Sequence, residues 1–445
     1  MYINPLLRTD SYKYAHGKLY DPKYKFMNSY IEPRNSKRFR YALFFGLQAY
    51  LRNLQQNPIT IEQVEYSEMR TRKQGLPFDK ESIMPIVKDY DGHLPLVIEA
   101  IDEGSVVDMG TPLVQTRNID DRFPWLPSFV ETDMQRSVWY PTSVATLSRH
   151  VKEIIYAGLV KTCENPDTEI MFKLHDFGAR GSSCSEQAQI GGGAALINFM
   201  GTDTMEANEW LTYYYDIDIA GFSIPASEHS TVTSWGKERE YEMFEHMLLT
   251  YLKEYPLVAG VSDSYDIWKA ITDGWGSERL KKIIRDSGNT LVIRPDSGKP
   301  IEEIVAKCSD LIYETFDRGK VNSLGYKVFE DCVRAIQGDG CRMDTIALII
   351  DKLIEKKYSI ENWAFGMGSG LLNDVGRDDM SFSQKLSAKS VDGIVWEDAY
   401  KDPITDSKKT SKRGIQHNPD FKDRYVAGEL KNQTTFDEIR ERAAL

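Results

Sequence analysis

Of seven histidines, two stand in loops with unusual neighbours, His175 and His229. His229 lies in Pro225-Ala226-Ser227-Glu228-His229-Ser230-Thr231, and Asp263 follows the next expected strand. A carboxylate on one imidazole nitrogen fixes the tautomer and makes the other nitrogen a better nucleophile or base. The same spacing equally serves a buried histidine tied to a backbone carbonyl, so both readings stand. Cations also fall in loops beside glycine or serine: Arg34, Arg180, Arg294, Arg377, Lys385, and the run Lys408-Lys409 with Lys412-Arg413. On a chain of net charge −12, with 55 Lys+Arg against 67 Asp+Glu, such local positive charge suits a small polyanion such as a sugar phosphate or pyrophosphate. For the lysine run a solvated charged face is the preferred reading. Gly366, Gly368 and Gly370 have the spacing to offer backbone N–H groups to a phosphate at a helix start, and tight turns would explain them as well. Phe177, between Asp176 and Gly178, and Tyr12, in Thr9-Asp10-Ser11-Tyr12-Lys13, are aromatic rings in polar surroundings that would sandwich a flat heteroaromatic ligand.

Residues this scattered need a scaffold that gathers loops at one end. Between Met171 and Gly370 an apolar β-prone run, a polar or glycine-bearing loop and a helical stretch recur about seven times. The runs are 171–174, 195–199, 221–224, 258–261, 291–293, 333–336 and 363–365. Nearly every unusual polar residue follows one of them, which in a (β/α) barrel is the C-terminal rim where substrates bind. A Rossmann sheet would require GxGxxG after its first strand and an acid about 20 positions on, and neither is present. Before Asn165, β-like runs at 94–100 and 111–116 alternate with helical stretches such as 143–159, an α+β pattern. The tail after Gly370 is polar and ends in an expected helix over 436–444. The expected architecture is α/β: a barrel over 166–374, and a discontinuous α+β domain of 1–165 with 375–445.

Composition closes off other classes. The acidic balance argues against a nucleic-acid-coating protein, and 41% hydrophobic with 27% charged residues is ordinary for a globular chain. The longest charge-free stretch, 187–202, is too short and too polar to span a bilayer. The first residues show no signal-peptide pattern. Five scattered cysteines form no CxxC, which suits reduced thiols in the cytoplasm and gives no zinc site.

Taken together, the motifs resemble the nicotinamide phosphoribosyltransferase family of type II phosphoribosyltransferases. The likeness runs from Asp10-Ser11-Tyr12-Lys13 through Phe45-Gly46-Leu47-Gln48, Trp139-Tyr140-Pro141, His175-Asp176-Phe177-Gly178 and Gly201-Thr202-Asp203-Thr204. It continues through Glu228-His229-Ser230-Thr231, Ser262-Asp263-Ser264-Tyr265-Asp266, Arg294-Pro295-Asp296-Ser297-Gly298 and Ile336-Gln337-Gly338-Asp339-Gly340 to Lys401-Asp402-Pro403 and Phe436-Asp437-Glu438-Ile439-Arg440. The resemblance implies an irregular barrel with a β-rich second domain, in a homodimer whose active sites lie at the interface. It implies transfer of phosphoribosyl from 5-phosphoribosyl 1-pyrophosphate to nicotinamide, giving nicotinamide mononucleotide and pyrophosphate, with Mg²⁺ and coupled ATP hydrolysis, in NAD salvage.

By the same resemblance, Phe177 and a partner chain's Tyr12 stack on the pyridine ring, and Asp203 accepts the carboxamide N–H. Arg294 orients the amide or ribose, Asp296 meets the ribose hydroxyls, and Gly338, Asp339 and Ser369 line the nucleotide. Arg377 holds its phosphate, while Arg34, Arg180, Lys385, Lys401 and the Lys408 region neutralise pyrophosphate and ATP. His229 matches the family's phosphorylated histidine and Asp263 the carboxylate that orients it; no side chain is expected to ligate a metal directly. The chain departs from the vertebrate pattern at Ala179, where an aromatic is usual, and Ser369, where glycine is usual. Nicotinate phosphoribosyltransferase is the nearest alternative, which an Asp203 carboxylate disfavours by repelling nicotinate's own. A silent binding homologue would not need an activated histidine. A Schiff-base lyase would need a lysine just after a barrel strand, and none stands there.

Overall fold

The computed structural model describes residues 4–406 and 409–444, so Lys408 lies outside the described residues. The chain divides into two compact units, Met1–Thr146 with Leu211–Ile217 and Val375–Ala444, and Leu147–Trp210 with Asp218–Asp374. The first division falls inside the helix Glu131–Thr162 rather than after it at 165.

The first unit is built on a seven-stranded antiparallel sheet in the order Trp396–Asp398, Ser383–Ser390, Phe26–Glu32, Val114–Asn118, Leu96–Ala100, Lys422–Val426, Glu429–Leu430. Strands from both chain ends therefore share one sheet. Phe26–Glu32 sits in its interior and is buried at all but its first residue, its register with Ser383–Ser390 shifting once between Asn28 and Ser29. The expected strand at 111–116 is displaced to Val114–Asn118. The helix expected over 143–159 starts earlier, at Glu131, and carries Trp139, Tyr140 and Pro141 within it. Gly46 accommodates that proline: its φ is +105°, and a Cβ there would lie 2.3 Å from Pro141 Cγ. The closing helix is Phe436–Arg442, started by a capping box between Thr435 and Glu438.

The second unit holds six parallel strands in the order Gly201–Thr202, Leu174–Asp176, Trp363–Met367, Val333–Gln337, Thr290–Arg294, Leu257–Val261. The segment 222–227 joins the two edges. Phe222 pairs with Gly201 on one side and Ala226 with Ala259 on the other, both in parallel sense, so the sheet closes into an irregular barrel. Ala259, Val292 and Ile336 form a buried cluster, with Ile224, Ala364 and Phe177 packed against it.

Three expected runs are corrected. Residues 170–172 form a 3₁₀ turn and the strand begins at Leu174, which puts His175 and Asp176 in the sheet. Ala195 ends the helix Ser185–Ala195, and the strand that follows is only Gly201–Thr202. A short apolar run reads alike as buried strand or buried helix end, and here it is the helix end. At 221–224 no regular strand forms, only the single bridge at Phe222. Among the described residues no helix is long and apolar enough to cross a membrane.

Candidate active site

Three consecutive strand ends of the barrel converge on His229. The histidine opens the short helix His229–Thr233, directly after the segment that closes the barrel. Its Nε2 lies 3.0 Å from Asp263 Oδ1 and its Nδ1 3.9 Å from Asp296 Oδ2. The Asp263 side chain is only 4% exposed, against 45% for His229, so the carboxylate is the fixed member of the pair. It is held further by the Asp296 backbone N–H, 3.1 Å from Oδ2, and by a short hydrogen bond from the Ser297 hydroxyl. With Nε2 protonated toward Asp263, Nδ1 keeps its lone pair on the open side. Asp296 is half-buried. Burial lifts its carboxyl above the ordinary range, Asp263 and Asp339 push the same way, and Arg294 and His229 oppose them. Arg294 Nη2 is 3.8 Å from Asp296, while its Nε is buried with no hydrogen-bond partner among the described residues. Gly338 lets the Asp296 carboxylate approach, since a Cβ there would stand 2.4 Å from Oδ1.

Beside this cluster stand the two residues expected at the ring, Phe177 and Asp203. The Phe177 ring lies against Gly366, where a Cβ would come within 2.1 Å of Cε2. Gly366 is thus a strand residue that makes room for an aromatic face, not the first of a series of phosphate-binding amides; Gly368 caps the four-residue helix Ser369–Leu372 and Gly370 lies inside it. Asp203 is exposed and accepts a 2.6 Å bond from the Ser223 hydroxyl on Oδ1. Beneath both lies Asp176, 2% exposed, whose carboxyl burial pushes up to about 6 despite bonds from Thr204 and the Gly178 N–H. His175 takes the plainer histidine role: its Nε2 is 3.0 Å from the Phe172 carbonyl, and burial holds it below its ordinary pKa. Ser369 is exposed and lies 3.1 Å from Asn373 Nδ2, which also donates to the Gly181 carbonyl, bringing the Arg180 turn and the Ser369 loop together. Asp339 is exposed, with its carbonyl bonded by Gln337.

The first unit gathers a second set of cations. Burial holds the Lys385 ammonium below its ordinary range; Glu131 opposes this, and Arg34, Lys401 and Arg377 add repulsion. Three cations near a partly desolvated fourth are a concentration of positive charge that an anion would relieve. Arg34 is oriented by the Ser381 carbonyl at 3.1 Å, and Arg377 pairs with Asp378 at 3.0 Å. Lys409, Lys412 and Arg413 are engaged elsewhere: with Asp406 at 3.4 Å, Glu32 at 3.6 Å and the Tyr400 ring at 3.5 Å. Tyr12 is 57% exposed on the 3₁₀ helix Ser11–Lys18, its ring edge-on to His16 at 5.1 Å.

Ser223 and Ser297, which hold Asp203 and Asp263, carry no signal in the sequence. Serines are common in loops, and nothing in their spacing marks a bond made across the barrel rim. Among the described residues no group of three or more His, Cys, Asp or Glu side chains converges as a metal site.

The chain is similar to known proteins in sequence and in fold. The sequence profile of the nicotinate phosphoribosyltransferase family matches residues 172–433, and that of the nicotinamide phosphoribosyltransferase N-terminal domain matches residues 4–98. A nicotinamide phosphoribosyltransferase of Xanthomonas campestris pv. campestris is 44% identical over 92% of this chain and 86% of its own. One of Acinetobacter baylyi is 29% identical over 99% and 97%. The fold is shared with nicotinate-nucleotide pyrophosphorylase from Pyrococcus furiosus, with a TM-score of 0.60 at 14% identity, covering 98% of this chain and 93% of that one. Human nicotinic acid phosphoribosyltransferase gives 0.59 at 15%, covering 98% and 92%. Similarity of this extent places the chain in the nicotinate phosphoribosyltransferase family, and within it among the nicotinamide phosphoribosyltransferases.

Proposed function

We propose that the protein transfers phosphoribosyl from 5-phosphoribosyl 1-pyrophosphate to nicotinamide, forming nicotinamide mononucleotide and pyrophosphate in NAD salvage, with ATP hydrolysis coupled through His229. The observation that carries the base assignment is the exposed Asp203 carboxylate, oriented by Ser223. One of its oxygens takes the serine hydroxyl and the other is left for the amide N–H of nicotinamide. Nicotinate, with a carboxylate in place of the amide, would face like charge there.

The Phe177 face holds the pyridine ring, and a second copy of the chain supplies Tyr12 as the opposite face, so the working enzyme is a homodimer. Ring and ribose are then oriented for attack by the pyridine nitrogen on the anomeric carbon. Arg294 and Asp296 bind ribose or amide, with Gly338, Asp339 and Ser369 along the nucleotide. Arg34, Arg377, Lys385 and Lys401 of the first unit bind anionic groups, and so does Arg180 of the second. Mg²⁺, brought in on substrate oxygens, would neutralise charge on the departing pyrophosphate. The five free cysteines fit a reducing cytoplasm as the place of work.

ATP coupling rests on the His229–Asp263 pair. The Nδ1 lone pair attacks the γ-phosphorus, ADP leaves, and the charge gained on the ring is balanced by the buried Asp263 carboxylate. Incubation with γ-labelled ATP is expected to put acid-labile label on the wild type and none on His229→Ala, which should keep uncoupled synthesis. Equal labelling of the two proteins, or full ATP stimulation of the variant, would overturn the phosphohistidine.

A further inference from the structure

The ring platform and the amide acceptor are carried by different strand ends, and Asp176 bonds to both. One carboxylate oxygen accepts the Gly178 N–H at 2.7 Å, directly after Phe177; the other accepts the Thr204 hydroxyl at 2.7 Å, directly after Asp203. The Asp176 carbonyl accepts the Asp203 N–H at 2.9 Å, and the Phe177 N–H is tied to the Met367 carbonyl at 2.9 Å. The space around the carboxylate is filled: added Cβ atoms on Gly178 and Gly192 would lie 2.9 Å and 3.0 Å from its two oxygens. At 2% exposure Asp176 lies beneath the surface that carries Phe177 and Asp203.

We infer that Asp176 is a positioning residue, which fixes the separation between the Phe177 ring and the Asp203 carboxylate and so sets affinity for the pyridine carboxamide as one rigid shape. The inference rests on the proposed reaction for the identity of the ligand. A buried carboxylate is costly and is retained only where it is satisfied. Here two donors on two loops converge on it, so its removal leaves the two loops joined by backbone bonds alone and takes one restraint from each. Asparagine preserves the link, because its oxygen accepts the Gly178 N–H while its amide donates to the Thr204 hydroxyl, which can act as acceptor.

The test is steady-state kinetics of the full-length protein with nicotinamide and 5-phosphoribosyl 1-pyrophosphate varied separately. Asp176→Ala is expected to raise KM for nicotinamide about tenfold or more while KM for the other substrate stays within about twofold. Asp176→Asn should return nicotinamide KM to within about threefold of wild type. Thr204→Val, which removes one bond and keeps the shape, should raise it about three- to tenfold and decides the matter if the alanine variant does not fold. A merely structural role would lower the amount of active protein and leave both KM values alone; that result, or equal movement of both, overturns the inference. Failure of the wild type to use nicotinamide would instead refute the proposed reaction, and Asp176 is then judged by the same variant-to-wild-type ratio for the base that is used.

Discussion

Asp176 makes the fold itself sensitive to pH. Its native carboxyl titrates at about 6 against an ordinary value of 3.8, so between those pH values the native state holds a proton that the unfolded chain has lost. The stabilisation this provides is complete below the unfolded pKa and disappears as pH rises through the native one, a change of about 3 kcal/mol. Asp176→Asn has no such titration. Urea unfolding of the two proteins between pH 4 and pH 7 is therefore expected to show the variant gaining on wild type as pH rises, and parallel curves would mean that the carboxyl is not held in this way. Asp263 has a different task at the same rim. Fixed by the Asp296 N–H and the Ser297 hydroxyl, it presents one oxygen to His229 in a set position.

At the scale of elements, the Phe177 ring lies where it does because the neighbouring strand is bare at Gly366. Gly366→Ala would force the ring aside, costing about 1–3 kcal/mol of stability. It should also raise the nicotinamide KM about tenfold through loss of the stacking geometry. Kinetics and urea unfolding of the variant read both effects, and an unchanged KM would remove Phe177 from the ring site. This glycine shows where sequence reasoning stops: its spacing groups it with Gly368 and Gly370 as a phosphate cradle, because spacing does not reveal which face of a strand a ring covers. The rim itself is legible. His229, Asp263, Arg294, Asp296 and Gly338 each follow an apolar run, and parallel barrel strands buried on both sides leave that signature. The run at 195–199 misleads for the same reason, being apolar without being a strand. Likewise Lys412 lies near the cations in sequence, yet it pairs with Glu32 from the other end of the chain.

At the scale of the molecule, each chain folds both of its ends into one sheet, and the proposed homodimer completes each ring site with Tyr12 of a second copy. Tyr12→Ala and Phe177→Ala should each be nearly inactive alone. Co-expressed with different tags, they are expected to recover about a quarter of wild-type activity, since half of randomly paired dimers are mixed and each mixed dimer has one intact site. No recovery in the isolated mixed dimer would mean that each chain uses its own Tyr12. The central claim concerns base choice and ATP, and one comparison tests both: kcat/KM for nicotinamide and for nicotinate with Mg²⁺ and 5-phosphoribosyl 1-pyrophosphate, each with and without ATP. A strong preference for nicotinamide, increased by ATP, is the expected result. Preference for nicotinate, or a nicotinamide rate indifferent to ATP, would contradict the roles given to Asp203 and His229 respectively.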